Sequence, residues 1–166
     1  MEAILTRRSI RQYTSQPVSE QLVKHLLEAA MCAPSAGNEQ PWQFVVIRDR
    51  QMLDSIPTAH PYAGPARQAP LVIVVCGDVN LAKHPGFWVQ DCSAATQNLL
   101  LAARASGLGS VWCGVYPNEE RVGAIRELLG LPQHVVPLSL VIIGYPAESK
   151  GRQERFDAKR VHSERW

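Results

Sequence analysis

The spacing of apolar and polar positions divides the chain into predicted elements. In "VSEQLVKHLLEAAM", residues Leu22, Val23, Leu26, Leu27 and Ala30 recur at three- and four-residue intervals, which predicts an amphipathic helix. Ser19 stands where the N-cap of that helix belongs, and Pro34 marks a point by which it has ended. "LVIVVCGD" at 71–78 is apolar at almost every position, as a strand covered on both faces would be. "WQFVVIR" and "VPLSLVIIGYP" read as further strands, and "GSVWCGVYP" as a strand with Gly114 inside it. The longest helix is predicted over 89–106, closed by Gly107. Asn118 is the expected cap of a second amphipathic helix, "NEERVGAIRELLG". Short helices are expected at the start of the chain, ending near Arg7, and at 50–56. "PTAHPYAGPARQAP" reads mostly as loop, and "NLAKHPGFW" as loop or broken helix.

This order lacks regular βαβ alternation and favours an α+β sandwich of helices around one sheet over a doubly wound sheet. No GxGxxG follows a strand, so a dinucleotide-binding βαβ unit is not supported. The polar tail at 146–166 carries Phe156, Val161 and Trp166 among its charges. Such anchors gain little in solvent and more against a neighbouring subunit. Ala94, Ala95, Ala102 and Ala103 would let a second helix approach the long one closely, or would face their own sheet.

Composition narrows the function. A chain of 166 residues, 46% hydrophobic, suits one domain with its own core. The net charge of +2 is too small for a general nucleic-acid binder, and the basic residues gather at 7–11 and 150–165 rather than along a stripe. The apolar runs are strand-length, so no membrane partner is expected. Cys32, Cys76, Cys92 and Cys113 show no CxxC spacing and read as buried thiols of a reducing, cytoplasmic protein. His25, His60, His84, His134 and His162 show no ligand pairing, so no metal site is expected.

Three stretches carry candidate chemistry. In "RRSIRQY", an extended backbone would point Arg7, Ser9 and Arg11 the same way, presenting two guanidinium groups and a hydroxyl. That set suits a phosphate; the alternative is a solvated basic surface. In "PSAGNEQPW", Ser35, Asn38, Glu39 and Gln40 crowd between prolines, and Gly37 permits a tight turn. The Asn38 amide offers donors and an acceptor at fixed geometry, suited to a pyrimidine-like edge or to an ordinary polar turn. Gly114 inside a strand marks a bulge or a close backbone approach, with Trp112 and Tyr116 on the same side.

Together these stretches resemble the FMN-dependent nitroreductase family, of the short single-domain type. "RRSIRQY" is similar to its first signature and "APSAGNEQPWQFVVI" to its second; "QDCSAATQNLLLAARASGLGSVW" and the ending "GYPAESKGR…RVHSERW" also resemble it. The resemblance implies one domain over 1–166 with a central, mostly antiparallel sheet. It implies a homodimer with FMN at the subunit interface and the 146–166 extension on the partner. It implies that Arg7, Ser9 and Arg11 hold the phosphate and pyrimidine ends of FMN, with Arg8 lining the site. Ser35 belongs to the cofactor set, Asn38 reaches the flavin from the partner, and Trp112 and Gly114 lie beside the ring, the Gly114 N–H at N5. Lys150 and Arg152 match a basic pair near the phosphate, with Arg155 the competing choice. The implied activity is ping-pong transfer from NADH or NADPH to nitroaromatics, quinones or related small acceptors, without a protein nucleophile or metal. The alternative is a flavin carrier or sensor without turnover. Tyr62, Phe87 and Trp88 are candidates for the acceptor pocket, or for core and interface filling. Lys83 or Arg67 is a conceivable partner for a 2′-phosphate.

Overall fold

Both faces of the central sheet are buried, and its strands read accordingly. The computed structural model describes residues 1–166. Four strands, β1 (Trp42–Ile47), β2 (Leu71–Asp78), β3 (Gly109–Gly114) and β4 (Val135–Gly144), lie in the order β1-β2-β4-β3. Every neighbouring pair is antiparallel. Five helices surround them: α1 (Glu2–Thr6), α2 (Glu20–Met31), α3 (Arg50–Ala59), α4 (Trp88–Ala105) and α5 (Glu119–Leu129).

The two-residue period of a strand sorts the core. Leu71, Ile73 and Val75 of β2, with Val141 and Ile143 of β4, face a layer holding Leu26, Cys92, Ala95 and Leu99 from α2 and α4. Val72, Val74 and Cys76, with Leu140 and Ile142, face the other layer, which holds Leu53, Ile56 and Ile125 from α3 and α5. The alanines of α4 therefore serve the chain's own core: Ala95 and Ala103 are fully buried, and Ala94 and Ala102 pack against the same cluster.

The expected caps form. The Ser19 hydroxyl accepts from the Leu22 N–H at 3.2 Å, and the Asn118 side chain accepts from the Arg121 N–H at 2.9 Å. Gly130 closes α5 in the left-handed region at φ 62°. Two expectations need correction. From β1 onward, strands and helices alternate strictly, yet no neighbouring strands are parallel, because each helix links strands that run in opposite directions or skip a place. α3 passes through Pro57 to Ala59, with the His60 N–H donating to the Ile56 carbonyl at 2.9 Å. A proline in the last turn forfeits one helical bond, and the burial of Leu53 and Ile56 outweighs it. "NLAKHPGFW" is loop up to Phe87, as expected, and α4 begins at Trp88, one residue before its expected start.

β1 and β3 are the edge strands. The N-terminal segment crosses beside β3: Ser9 bridges to Ser110, and the Ile10 N–H donates to the Ser110 carbonyl at 3.0 Å. It then pairs with the chain leaving β4, where Tyr13 bridges to Pro146. Every residue from Gly151 to Trp166 is exposed, including Phe156, Val161 and Trp166. No helix is long and apolar enough to cross a membrane.

Candidate functional site

A basic cleft opens where α1, the start of β3 and the end of β4 meet. It encloses about 480 Å³, and Arg7, Arg8, Arg104, Ser110, Glu148 and Lys150 are among its walls. A smaller cleft of about 280 Å³ adjoins it, where Arg7 and Arg8 face Arg152, Arg155 and Phe156 of the tail. Arg7 caps α1 in an extended conformation, which turns it off the helix toward both clefts. Partial burial, then the charges of Arg155 and Arg8, push the Arg7 guanidinium below its ordinary range. No carboxylate lies within 4.0 Å of Arg7, Arg8 or Arg155.

The remaining basic candidates are partly engaged. Lys150 donates to the Ser9 carbonyl at 2.8 Å and pairs with Glu148 at 3.1 Å. Glu148 also accepts from the Arg11 N–H at 2.6 Å; that bond first, and Lys150 with it, holds its carboxyl below the usual range. Arg8 donates to the Gly151 carbonyl, and Arg152 pairs with Glu154 at 3.5 Å. Arg11 is exposed and does not line the basic cleft, so Arg7 pairs there with Arg8 rather than with Arg11. The Arg11 charge instead reaches Cys113, where it opposes the burial that raises the thiol.

The far end of β3 offers a different group. The Val115 N–H donates to the Leu138 carbonyl at 2.9 Å, while Gly114 stands opposite Ser139. Alternation along an antiparallel edge strand then turns the N–H and C=O of Gly114 outward, as it does for Ser110. A Cβ at Gly114 would meet nothing within 4 Å, whereas one at Gly109 would come within 2.7 Å of Ile10. The Gly114 carbonyl is held by two donors, His60 Nε2 at 2.7 Å and Arg121 Nη1 at 3.2 Å. Four residue steps separate Ser110 from Gly114, a span of roughly 13 Å.

The "PSAGNEQP" loop is a strained, cross-braced turn. Gly37, Asn38 and Gln40 all have φ between 51° and 55°. Asn38 accepts from the Gln40 side chain at 3.2 Å, and the Ser35 hydroxyl from the Gln40 N–H at 3.0 Å. Asp91, at the start of α4, accepts from the Ala36 N–H at 3.0 Å. No hydrogen bond or ion pair links Ser35 or Asn38 to the arginine cluster of the same chain. Tyr62 and Phe87 are exposed, whereas Trp88 is buried, edge-on to Tyr116 at 4.9 Å. Trp112 is half-buried against the α2–α4 layer.

Sequence reasoning missed Arg104, Glu148, His60 and Arg121. A search for metal pairs passes over His60, and Arg104 and Arg121 look like ordinary helix-surface charges. The one local signal was at Arg121, a cation in the first turn of a helix, where the dipole disfavours it.

A cation cluster beside the start of β3, where Ser9 and Ile10 cover the edge, and an outward glycine amide at its far end suit an α+β protein that receives an anionic ligand along its sheet edge. The model of the nitroreductase family matches residues 4–60 and 52–145. A protein of Methanothermobacter thermautotrophicus, provisionally named NADH dehydrogenase/NAD(P)H nitroreductase, is 55% identical over all of this chain and 87% of its own. A crystal structure from Clostridium acetobutylicum, provisionally an NADH oxidase, superposes with a TM-score of 0.96 at 42% identity, covering 99% of each chain. A Desulfovibrio desulfuricans nitroreductase structure in complex with FMN is 34% identical, with a TM-score of 0.86, covering 99% of this chain and 96% of its own. The chain belongs to the nitroreductase family and is an oxidoreductase.

Proposed function

We propose that this protein is an FMN-dependent NAD(P)H oxidoreductase that passes electrons to nitroaromatic, quinone or similar small electrophiles. The observation that carries this reading is the outer edge of β3, with guanidinium groups that no carboxylate neutralises beside its start and the outward Gly114 amide at its end. The residues fit the cofactor on two counts. Arg7, Arg8 and Arg155 crowd together without a carboxylate, as groups awaiting a dianion would. The space over Gly114 lets a flat ring approach the backbone. The complex of the Desulfovibrio relative with FMN supports the same cofactor.

When bound, FMN supplies the two-electron chemistry, accepting hydride from NADH or NADPH and serving the acceptor in ping-pong order. Arg7 and Arg8 neutralise the phosphate, with Lys150 and Arg152, or Arg155, completing the basic wall. Ser9 lies on the same edge as a neutral donor. Arg11 stands toward the pyrimidine end, where its charge favours the reduced, more anionic ring. The Gly114 N–H orients the reactive nitrogen, and Trp112 backs the ring. Ser35 and Asn38 lie away from the arginines of their own chain and serve the site of a second copy in a homodimer, whose formation would also cover Phe156 and Trp166. Tyr62 and Phe87 are exposed and able to wall an acceptor pocket; buried Trp88 acts by seating Tyr116.

Purified protein is expected to carry, or take up, FMN. Its flavin absorbance should bleach with NADH or NADPH under anaerobic conditions and recover with a quinone or nitroarene. Flavin that binds but resists bleaching would assign a carrier role instead, and failure to bind FMN would overturn the reading.

A further inference from the structure

Gly114 is gripped by its outward carbonyl, on the same edge as its N–H, and the grip comes from residues outside the basic cleft. His60 is fully buried, and its Nδ1 accepts from the Tyr62 N–H at 3.3 Å. The ring proton of the neutral tautomer is therefore on Nε2, which donates to the Gly114 carbonyl at 2.7 Å. Arg121 donates to the same carbonyl at 3.2 Å while its guanidinium carbon lies 5.1 Å over the Tyr62 ring. The Cys113 thiol adds a weak bond to the Tyr62 carbonyl at 3.5 Å. Residues 60–62 thus clasp the outer edge of β3 at its end. Arg121 sits in the first turn of α5, beside Glu119 and Glu120, where a cation opposes the helix dipole. A residue that breaks its local rule at such a place has another use.

We propose that His60 and Arg121 are positioning residues that hold Gly114 by its carbonyl so that its outward N–H meets the flavin at a set distance and angle. The inference rests on the functional reading above and deepens it. Neither side chain touches cofactor or substrate; both act through the Gly114 carbonyl. Fixing that carbonyl restrains rotation about the Gly114 Cα–C bond, so the N–H on the other side of the same Cα keeps its outward direction. An N–H donor favours the oxidised ring, whose reactive nitrogen accepts, over the reduced ring, whose nitrogen bears a proton.

The test uses full-length protein loaded with FMN, as wild type, Arg121→Ala, Arg121→Lys, His60→Leu and His60→Gln. The expected result has two parts. Arg121→Ala and His60→Leu retain FMN but slow flavin reduction by NADH or NADPH about tenfold. They also lower the ratio of oxidised to reduced FMN affinity about threefold, read by potentiometric titration. Arg121→Lys and His60→Gln, which restore a donor, recover most of both. Unchanged rate and affinity ratio in Arg121→Ala, with wild type binding FMN normally, overturn the positioning role and leave the oxidoreductase reading standing. Loss of FMN from Arg121→Ala without rescue by lysine assigns a merely structural role and also overturns it. A His60→Leu chain that fails to fold leaves the decision to the partly exposed Arg121. Wild type that does not bind FMN overturns the functional reading and this one together.

Discussion

Arg7 carries a charge that the chain itself does not neutralise, with Arg155 and Arg8 as its charged neighbours. Removing it relieves repulsion in the free protein and, on the proposed function, would remove a charge-assisted contact from the loaded one. Arg7→Ala should therefore weaken FMN binding about tenfold or more, by fluorescence titration, while the thermal midpoint of the apoprotein stays level or rises. Arg11→Ala should likewise weaken FMN retention more than folding. The cysteines make a second residue-scale prediction. Burial pushes Cys76 and Cys92 up to about 12 and Cys113 up to about 11, from an ordinary 9.0, and Cys32 alone is exposed. Native protein at about pH 8 should present at most Cys32 to a thiol reagent, and all four thiols once unfolded. The folded state holds the buried thiol protons more tightly than the unfolded chain does. The stability they contribute is whole below pH 9.0 and is lost as pH climbs toward about 12. The urea midpoint should fall over that window, less steeply in Cys76→Val.

At the scale of elements, two glycines of β3 separate architecture from site. A methyl at Gly109 would strike Ile10 and lever the N-terminal segment off the strand. Gly109→Ala should cost about 1–3 kcal/mol in chemical denaturation and loosen FMN with it. A methyl at Gly114 meets nothing in the chain, so Gly114→Ala should fold with nearly unchanged stability and still bind the flavin poorly. The Ser19 cap is independent of both: Ser19→Ala should cost about 1 kcal/mol without altering the flavin spectrum. Element boundaries were legible wherever a cap or an apolar run declared them. They were not legible at Pro57, where burial under α3 overrides a local breaker, or in the strand order, which rests on contacts between distant segments.

For the whole molecule, the exposed tail and the loop at 35–40 carry the same prediction. Ser35 and Asn38 sit apart from the arginine cluster of their own chain, and Phe156, Val161 and Trp166 are fully or largely exposed. Wild type should sediment as a dimer at micromolar concentration, and a chain ending at Gly151 should shift toward monomer. Mixing Asn38→Ala with Arg7→Ala chains offers a direct check. Heterodimers should regain one intact flavin site, because both lesions fall in the same site and leave the other whole.

Local sequence chemistry by itself determined the four strands, the three long helices with their caps, and the basic segment near the start. Those features depend on neighbours in the chain, where periodicity, capping oxygens and charge are written directly. Only the tertiary structure decided that Arg8 rather than Arg11 shares the cleft with Arg7, that Arg104 and Glu148 join them, and that Trp88 is core. It also decided that His60 and Arg121 converge on one carbonyl of β3. Each of these depends on which segments the antiparallel sheet brings together across dozens of residues. Hydrophobic burial drives that assembly without regard to the polar groups it leaves face to face.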